Sequence, residues 1–436
     1  MRKGVLTSRS VASAVSRCFV RRSMVSRSDD RVVTQIKTHT IDKSPIVKSL
    51  WQDRLDLEIQ QGAPNEELHS PDYLIDKACS DSRVTVQYGF QSDAQLRESY
   101  QDAHGCILVG RLLEDLDALA GNIAFLHCDD SNPNTRALHV VTASVDTIKM
   151  SSNHSSLPVC NDYTLSGQVV WSGRSSMDVL IEVHTAEKDQ DSGDIIEPNL
   201  IDTSITRVLS CMFTFVARDI ITGRSAAINR VTPSNPIEQR LYEQRAKEAL
   251  RRKEKNTSIS LCDTRIMSLI ERGNAAKDMP ALAHPSTVLM NQTCHENTLI
   301  MNPQNVNTAG RVFGGYLMHR AYDLALATCY TFAGAYPKFK EVGEVTFKKP
   351  VDIGDLVRLR SRVVYASDNE DGTFKPTAHV EVECQVVRPE KASSFVSNTF
   401  DFSFTFERGT NISLRRVLPC RREEAERLIM ASGRDH

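Results

Sequence analysis

Two adjacent glycines, Gly314-Gly315, stand at the head of an apolar run inside the stretch from Asn302 to Met318. Glycine lets a backbone approach a ligand closely. The first turn of a helix leaves its N–H groups unpaired and carries the positive end of the helix dipole. A glycine pair at such a turn suits a carbonyl oxygen that is gaining negative charge, where one donor is typically worth ~3–4 kcal/mol. Asn307, in the approach to the pair, also has the residue type of a turn or cap. A second set of candidates is Glu114-Asp115-Leu116-Asp117, which pattern alone reads as a charged helix surface. The adjacent pairs His127-Cys128 and Cys294-His295 read as packed side chains, because neighbours on a strand face opposite ways.

These residues need elements to hold them. Leu112, Leu116, Leu119 and Ile123 recur at helical spacing, and Phe313, Leu317, Ala321, Leu324 and Thr328 mark a second helix face. Alternating rows follow each helix. After the first come Met177, Val179, Ile181 and Val183, with Asp178, Leu180, Glu182 and His184 turned the other way. After the second come Val357 to Tyr365, Ala378 to Val386 and Phe400 to Phe406. Setting Gly110 against Gly315 also aligns Gly105 with Gly310. The shared order of helix then strands reads as an internal duplication, and two copies of helix plus antiparallel sheet give the α+β class.

Composition narrows the function classes. The chain has 436 residues, 40% apolar and 25% charged, with a net charge of −2. A global attraction to nucleic acid is not expected, nor is a membrane span, since no apolar run approaches ~18 residues. The 11 cysteines have no Cys-x-x-Cys spacing, so neither a metal site nor a disulfide framework is expected. The first 28 residues carry seven serines, seven arginines or lysines and no acid, the pattern of a mitochondrial transit peptide. Residues 236–256 read as a solvated, charged linker helix with Glu243–Lys247 and Glu248–Arg252 pairs.

Five stretches together resemble the type II acyl-CoA thioesterases of the hotdog superfamily, most closely the mitochondrial double-hotdog branch. They are Asn302–Met318, Phe347–Asp355, Gly110–Asp117, Val141–Asp146 and Trp171–Met177, in an order that spans about residues 84–420. The resemblance implies two tandem hotdog domains, each a long central helix wrapped by a curved antiparallel sheet. The domain order is then a transit peptide at 1–30, an N-terminal extension at 31–83, hotdog domains at 84–235 and 285–420, a charged helical linker at 236–284, and a tail at 421–436. It implies hydrolysis of acyl-CoA to free CoA and a carboxylic acid in the mitochondrial matrix, with no cofactor and no metal. It also implies assembly into a trimer of double hotdogs.

The resemblance carries over asymmetrically. The family's acid lies seven residues after the second glycine, which is Asp117 in the first half and Tyr322 in the second, with Asp323 one place on. One residue turns a helix by ~100°, so Asp323 points elsewhere. The family's asparagine lies eight residues before that glycine, which is Asn307 in the second half and Asp102 in the first. Val109 stands where the second half has Gly314. One complete site per chain is therefore expected. It joins Asp117 as base to Asn307, Gly314, Gly315 and Gly310, and the mirror site of Asp102, Gly110 and Tyr322 is degenerate. Asp117 shares a helix face with Leu113, Ala120, Gly121 and Ala124, small or apolar neighbours that raise a carboxylate's pKa. Arg174, Ser175 and Ser176 resemble the family's CoA loop, with Lys348 and Lys349 as further cations. The rival readings are a catalytically silent acyl-CoA-binding scaffold and an enoyl-CoA hydratase or dehydratase using His104 or His319.

Overall fold

A computed structural model describes residues 31–33, 44–60, 74–130, 132, 135, 138–185, 206–254, 263–305, 307, 311–368, 375–407 and 412–433. The expected transit peptide, residues 1–30, lies outside the described residues, as does Gly310. The first half runs β1 (Arg31–Val33), α1 (Pro45–Gln60), β2 (Asp76–Ala78), β3 (Val84–Tyr88), α2 (Ala94–Tyr100), α3 (Val109–Cys128), β4 (Leu138–Met150), β5 (Tyr163–Ser172), β6 (Ser176–Thr185), β7 (Thr206–Asp219), β8 (Arg230–Thr232) and α4 (Pro236–Glu254). The second half runs α5 (Asp263–Asp278), β9 (Thr287–Leu289), β10 (His295–Ile300), α6 (Gly314–Ala333), β11 (Lys338–Val342), β12 (Val345–Thr346), β13 (Leu356–Ser367), β14 (Thr377–Arg388), β15 (Ser393–Thr405), β16 (Arg416–Leu418) and α7 (Arg422–Ser432).

The helices α3 and α6 are each 20 residues long. Their first residues, Val109 and Gly314, stand 205 positions apart, as do Gly110 and Gly315. Each helix buries an apolar face: Leu112, Leu116, Leu119 and Ile123 on α3, and Leu317, Ala321 and Ala325 on α6. Gly334 ends α6 in the left-handed region at φ 70°, which only glycine adopts without strain.

The strands form one 12-stranded sheet in the order β1-β3-β5-β6-β7-β4-β11-β15-β14-β13-β10, with β12 also on β4. Apart from the parallel β1–β3 pair, its ladders are antiparallel. The order reads the same outward from the β4–β11 seam, with a central helix for each side. At the seam Val145 faces Val345 and Ile148 faces Val342. Outside the main sheet, β2 pairs in parallel with β8, and β9 with β16. The protein is thus a mixed α and β fold with an antiparallel sheet, made of two halves with the same element order.

Two sequence expectations meet a different outcome. The row Asp178, Glu182 and His184 alternates on β6 as expected and is fully buried. Asp178 accepts from Thr214 Oγ1 at 2.7 Å and pairs with Arg245 Nε at 2.7 Å, while Glu182 pairs with Arg207 at 3.0 Å. Helix α4, expected to be solvated, is exposed along one side only: on the other Arg245 is 5% exposed and also holds Asp146. A buried carboxylate needs a partner, and α4 supplies it. On β13, a bulge between Val363 and Tyr365 shifts the alternation, so Val364 is buried and Tyr365 is only half-buried.

The segment before the first half also does more than its composition indicates. Helix α1 begins at Pro45 and is 16 residues long. Ser44 caps it through its Oγ, which accepts from Val47 N at 3.0 Å. Ile46, Val47 and Leu50 are buried, and Asn122 Nδ2 of α3 donates to Leu50 O at 2.9 Å. Trp51 meets Phe313, the residue before α6, edge to face at 5.1 Å. So α1 packs on α3 and reaches the residue just before α6.

Candidate active site

The decisive geometry is where α3 crosses the first turn of α6. Phe313, the residue before α6, makes no side-chain capping bond. The cap comes from Asp117, 198 residues earlier: Gly315 N donates to Asp117 Oδ2 at 2.6 Å. Thr142 Oγ1 on β4 donates to the other oxygen, Oδ1, at 3.0 Å. A carboxylate fits there because of the unpaired N–H groups and the helix dipole.

The glycines permit this approach. A Cβ on Gly314 would lie 3.2 Å from both Asp117 Oδ2 and the Phe347 ring. A Cβ on Gly315 would lie 2.8 Å from the Phe313 ring and 3.0 Å from Glu114 Cα. Asp117 is only 3% exposed. Burial pushes its carboxyl pKa up to about 6, against the lowering pull of the Thr142 and Gly315 donors, and Glu114 adds to the rise. A carboxylate with a pKa near 6, held by two donors at a helix start, is suited to take a proton from water at neutral pH.

Asp115, two residues before Asp117, is a separate matter. Ser44, Tyr88 and Tyr100 all donate to it, Tyr88 at 2.5 Å, and it is fully buried. Burial raises its pKa to about 7, while the three hydroxyls act in the opposite sense. It ties α1, β3 and α2 to α3.

The two approach residues occupy matching turns. Asn307 N donates to Arg311 O at 2.7 Å, and Asn307 Oδ1 accepts from Arg311 N at 3.1 Å. Asp102 N donates to Cys106 O at 2.8 Å, and Asp102 Oδ1 accepts from Cys106 N at 2.8 Å. The asparagine thus performs the turn role that its type also allows. On the mirror side, Tyr322 takes the place of the acid. Its ring lies 5.8 Å from Phe339, 5.7 Å from Phe402 and 6.0 Å from Phe404. The seam register makes Phe339 the counterpart of Thr142, so an aromatic contact replaces a hydrogen-bonded carboxylate. Asp323 faces outward, with Arg320 Nη1 at 3.3 Å and His319 Nε2 at 3.5 Å.

The basic candidates flank the same end of the sheet. Thr142 faces Phe215, and Phe215 faces Met177. The Gly173–Ser176 turn, closed by Gly173 N to Ser176 O at 2.7 Å, is thus two strands from Thr142, or about 10 Å. Arg174 is exposed there. Across the seam, Phe347 N donates to Ala143 O at 3.0 Å, which puts Lys348 one step further along, also exposed. Lys349 Nζ sits 4.8 Å from the Phe395 ring centre.

Sequence reasoning missed Thr142, although it lies in the quoted stretch Val141–Asp146. A hydroxyl on a strand has no signal of its own until the strand is placed beside α3. Of the His-Cys pairs, His127 is buried, Nε2 within 2.9 Å of Asn229 O, and burial lowers its pKa to about 4.

Comparison with known proteins decides the family. The chain is 38% identical over 398 residues to acyl-coenzyme A thioesterase 2, chloroplastic, of Humulus lupulus, covering 88% of this chain and 87% of that one. The chain belongs to the acyl-coenzyme A thioesterase family. A mitochondrial thioesterase of the same plant is 38% identical over 88% of this chain and 72% of its own length. Acyl-coenzyme A thioesterase 9, mitochondrial, of Homo sapiens is 30% identical over 78% of this chain and 74% of that one. No family model matches the chain. Among solved structures, an acyl-CoA hydrolase from Staphylococcus aureus with butyryl coenzyme A has a TM-score of 0.31 at 21% identity, over 34% of this chain and 88% of that one. An acyl-ACP thioesterase from Bacteroides thetaiotaomicron has a TM-score of 0.40 at 13% identity, over 75% of this thioesterase and 100% of that chain.

Proposed function

We propose that this thioesterase hydrolyses fatty acyl-CoA at one composite site, with Asp117 of α3 as general base and the first turn of α6 as the oxyanion site. The observation that carries the reading is the Asp117 carboxylate held against Gly315 N–H, buried and with a raised pKa. In this reading each half is a hotdog, α3 and α6 are its central helices, and the site lies between the two.

An acyl-CoA thioester carbonyl enters beside Gly314, where the glycine leaves no Cβ in the way. Asp117 takes a proton from water, the resulting hydroxide attacks the carbonyl carbon, and the first-turn N–H groups other than that of Gly315, which holds Asp117, stabilise the tetrahedral oxyanion. Collapse breaks the C–S bond and returns the proton to the leaving thiolate of CoA. Thr142 holds the base in place through Oδ1. Asn307 orients the water or the acyl carbonyl from its turn. Arg174, Ser175, Ser176, Lys348 and Lys349 bind the CoA phosphates at the mouth, on either side of Thr142. Tyr322 and Phe339 fill the mirror site, leaving one active centre per chain. The enzyme works in the mitochondrial matrix after removal of a transit peptide, as a trimer.

Thiol release from a ladder of acyl-CoA lengths tests the reading, with Asp117→Asn, Asn307→Ala and Asp323→Asn beside wild type. Loss of turnover in the first two, with Asp323→Asn near wild type, supports it. Full activity in Asp117→Asn would mean that Asp117 only caps α6. Acyl-CoA binding without turnover in wild type would favour the silent scaffold.

A further inference from the structure

At the crossing of the two central helices, one turn from the catalytic groups, stands a pair that the mechanism above does not use. Glu114 lies four residues after Gly110 on α3, and His319 four residues after Gly315 on α6, so the two are counterparts in the duplication. His319 Nδ1 and Glu114 Oε1 are 2.7 Å apart, with the side chains 17% and 8% exposed. Each pair member also covers the other helix's glycine. A Cβ on Gly110 would lie 2.1 Å from His319 Cδ2, and one on Gly315 would lie 3.0 Å from Glu114 Cα.

We propose that Glu114 and His319 form a positioning pair that fixes the crossing of α3 and α6, and so the distance between Asp117 and the first turn of α6. This rests on the reading of Asp117 as the base. Asp117 is one turn beyond Glu114, and Gly315 is one turn before His319, so a tie between 114 and 319 fixes both reacting groups at once. A misplacement of ~1 Å at such a site costs up to about a hundredfold in rate.

The pair also has an electrostatic signature. Asp117 is faced by Glu114 from α3, Thr142 from β4 and the Gly315 N–H from α6. Glu114 in turn is faced by His319 and Arg320 of α6, with Asp323 beyond, and by Asp115 of its own helix. The Glu114 charge raises the Asp117 pKa, and His319 is the donor that draws that charge toward α6. Removing the charge or the donor therefore displaces the acid limb of the rate profile in opposite directions.

The test uses the full chain and measures kcat and KM across pH for wild type, Glu114→Gln, His319→Ala, His319→Asn and Asp117→Asn, with thermal melts of each. His319→Ala is expected to lose about tenfold in kcat with KM near wild type. His319→Asn, whose amide N–H falls close to the Nδ1 position, is expected to recover most of that loss. The acid limb is expected to move to lower pH in Glu114→Gln and to higher pH in His319→Ala. Wild-type kcat and an unmoved acid limb in His319→Ala would overturn the proposal. So would an equal loss in His319→Ala and His319→Asn with no displaced limb in any variant. If His319→Ala fails to fold, Glu114→Gln decides, and an unmoved limb there overturns the pair. Turnover kept by Asp117→Asn would overturn the base assignment and the pair with it. Turnover lost in Asp117→Asn beside unmoved limbs overturns the pair alone.

Discussion

At the scale of single residues, Asp117 carries opposite consequences for activity and stability. Burial raises its pKa to about 6, so ionising it costs folding energy. The sign is that of a raised acid: its stabilising contribution is complete below the unfolded carboxylate pKa and is lost as pH rises through about 6. Activity has the other sense, because only the carboxylate accepts a proton. The kcat/KM of wild type is expected to fall as pH drops through about 6, and a pH–rate profile checks it. Asp117→Asn keeps the acceptor for Gly315 N–H and never ionises. It is expected to abolish turnover while melting higher than wild type at pH 8, by up to about 3 kcal/mol, with the gap closing toward pH 5. Melting curves at the two pH values decide it. Arg174 and Lys348 belong to the same scale. Replacing both with alanine is expected to raise KM for acyl-CoA several-fold with little change in kcat, and the effect should shrink at high salt.

At the scale of elements, the first turn of α6 is built from three directions. Asp117 caps it from α3, Phe347 flanks Gly314 from the end of β12, and Trp51 of α1 supports Phe313 just before it. Gly315→Ala forces a methyl to 2.8 Å from the Phe313 ring and 3.0 Å from Glu114 Cα. It is expected to cost stability by about 1–3 kcal/mol and to lower kcat steeply. Trp51→Ala removes the edge-to-face contact that supports Phe313. A loss of about 3 kcal/mol in stability is expected, with a lower kcat from a loosened α6 start, measured by denaturant melts and steady-state rates. The charged helix α4 shows how composition misleads at this scale. Its acid-to-base pairs look like a solvated surface, but Arg245 meets Asp178 and Asp146, which are contributed by strands far away in sequence.

At the scale of the whole molecule, the duplication explains both the sheet and the asymmetry. Two halves with the same element order meet at β4 and β11, so the strands continue from one half into the other. The Asp117 carboxylate of α3 meets the start of α6, and at the matching position of α6 Tyr322 stands in an aromatic cluster. Titration with a non-hydrolysable acyl-CoA analogue is expected to saturate at one equivalent per chain. A stoichiometry of two would mean that the Tyr322 side still binds.

The sequence alone determined the two central helices, several long strands and the family resemblance. Apolar spacing marked α3 and α6, alternation marked the long strands, and the matched glycines at 110 and 315 marked the repeat, because these signals are local and periodic. The family belongs to the same category, and the relatives in hop and human support it. Asp117 and Gly315 were legible only as positions in a motif. What the tertiary structure decided is that they touch, 198 residues apart, and that Thr142 completes the contact. It also decided that Asp178 and Glu182 are buried with cations and that Ser44 reaches Asp115. Such facts depend on which elements the fold brings together, and pairwise hydrogen bonds between distant elements leave no periodic trace in either segment.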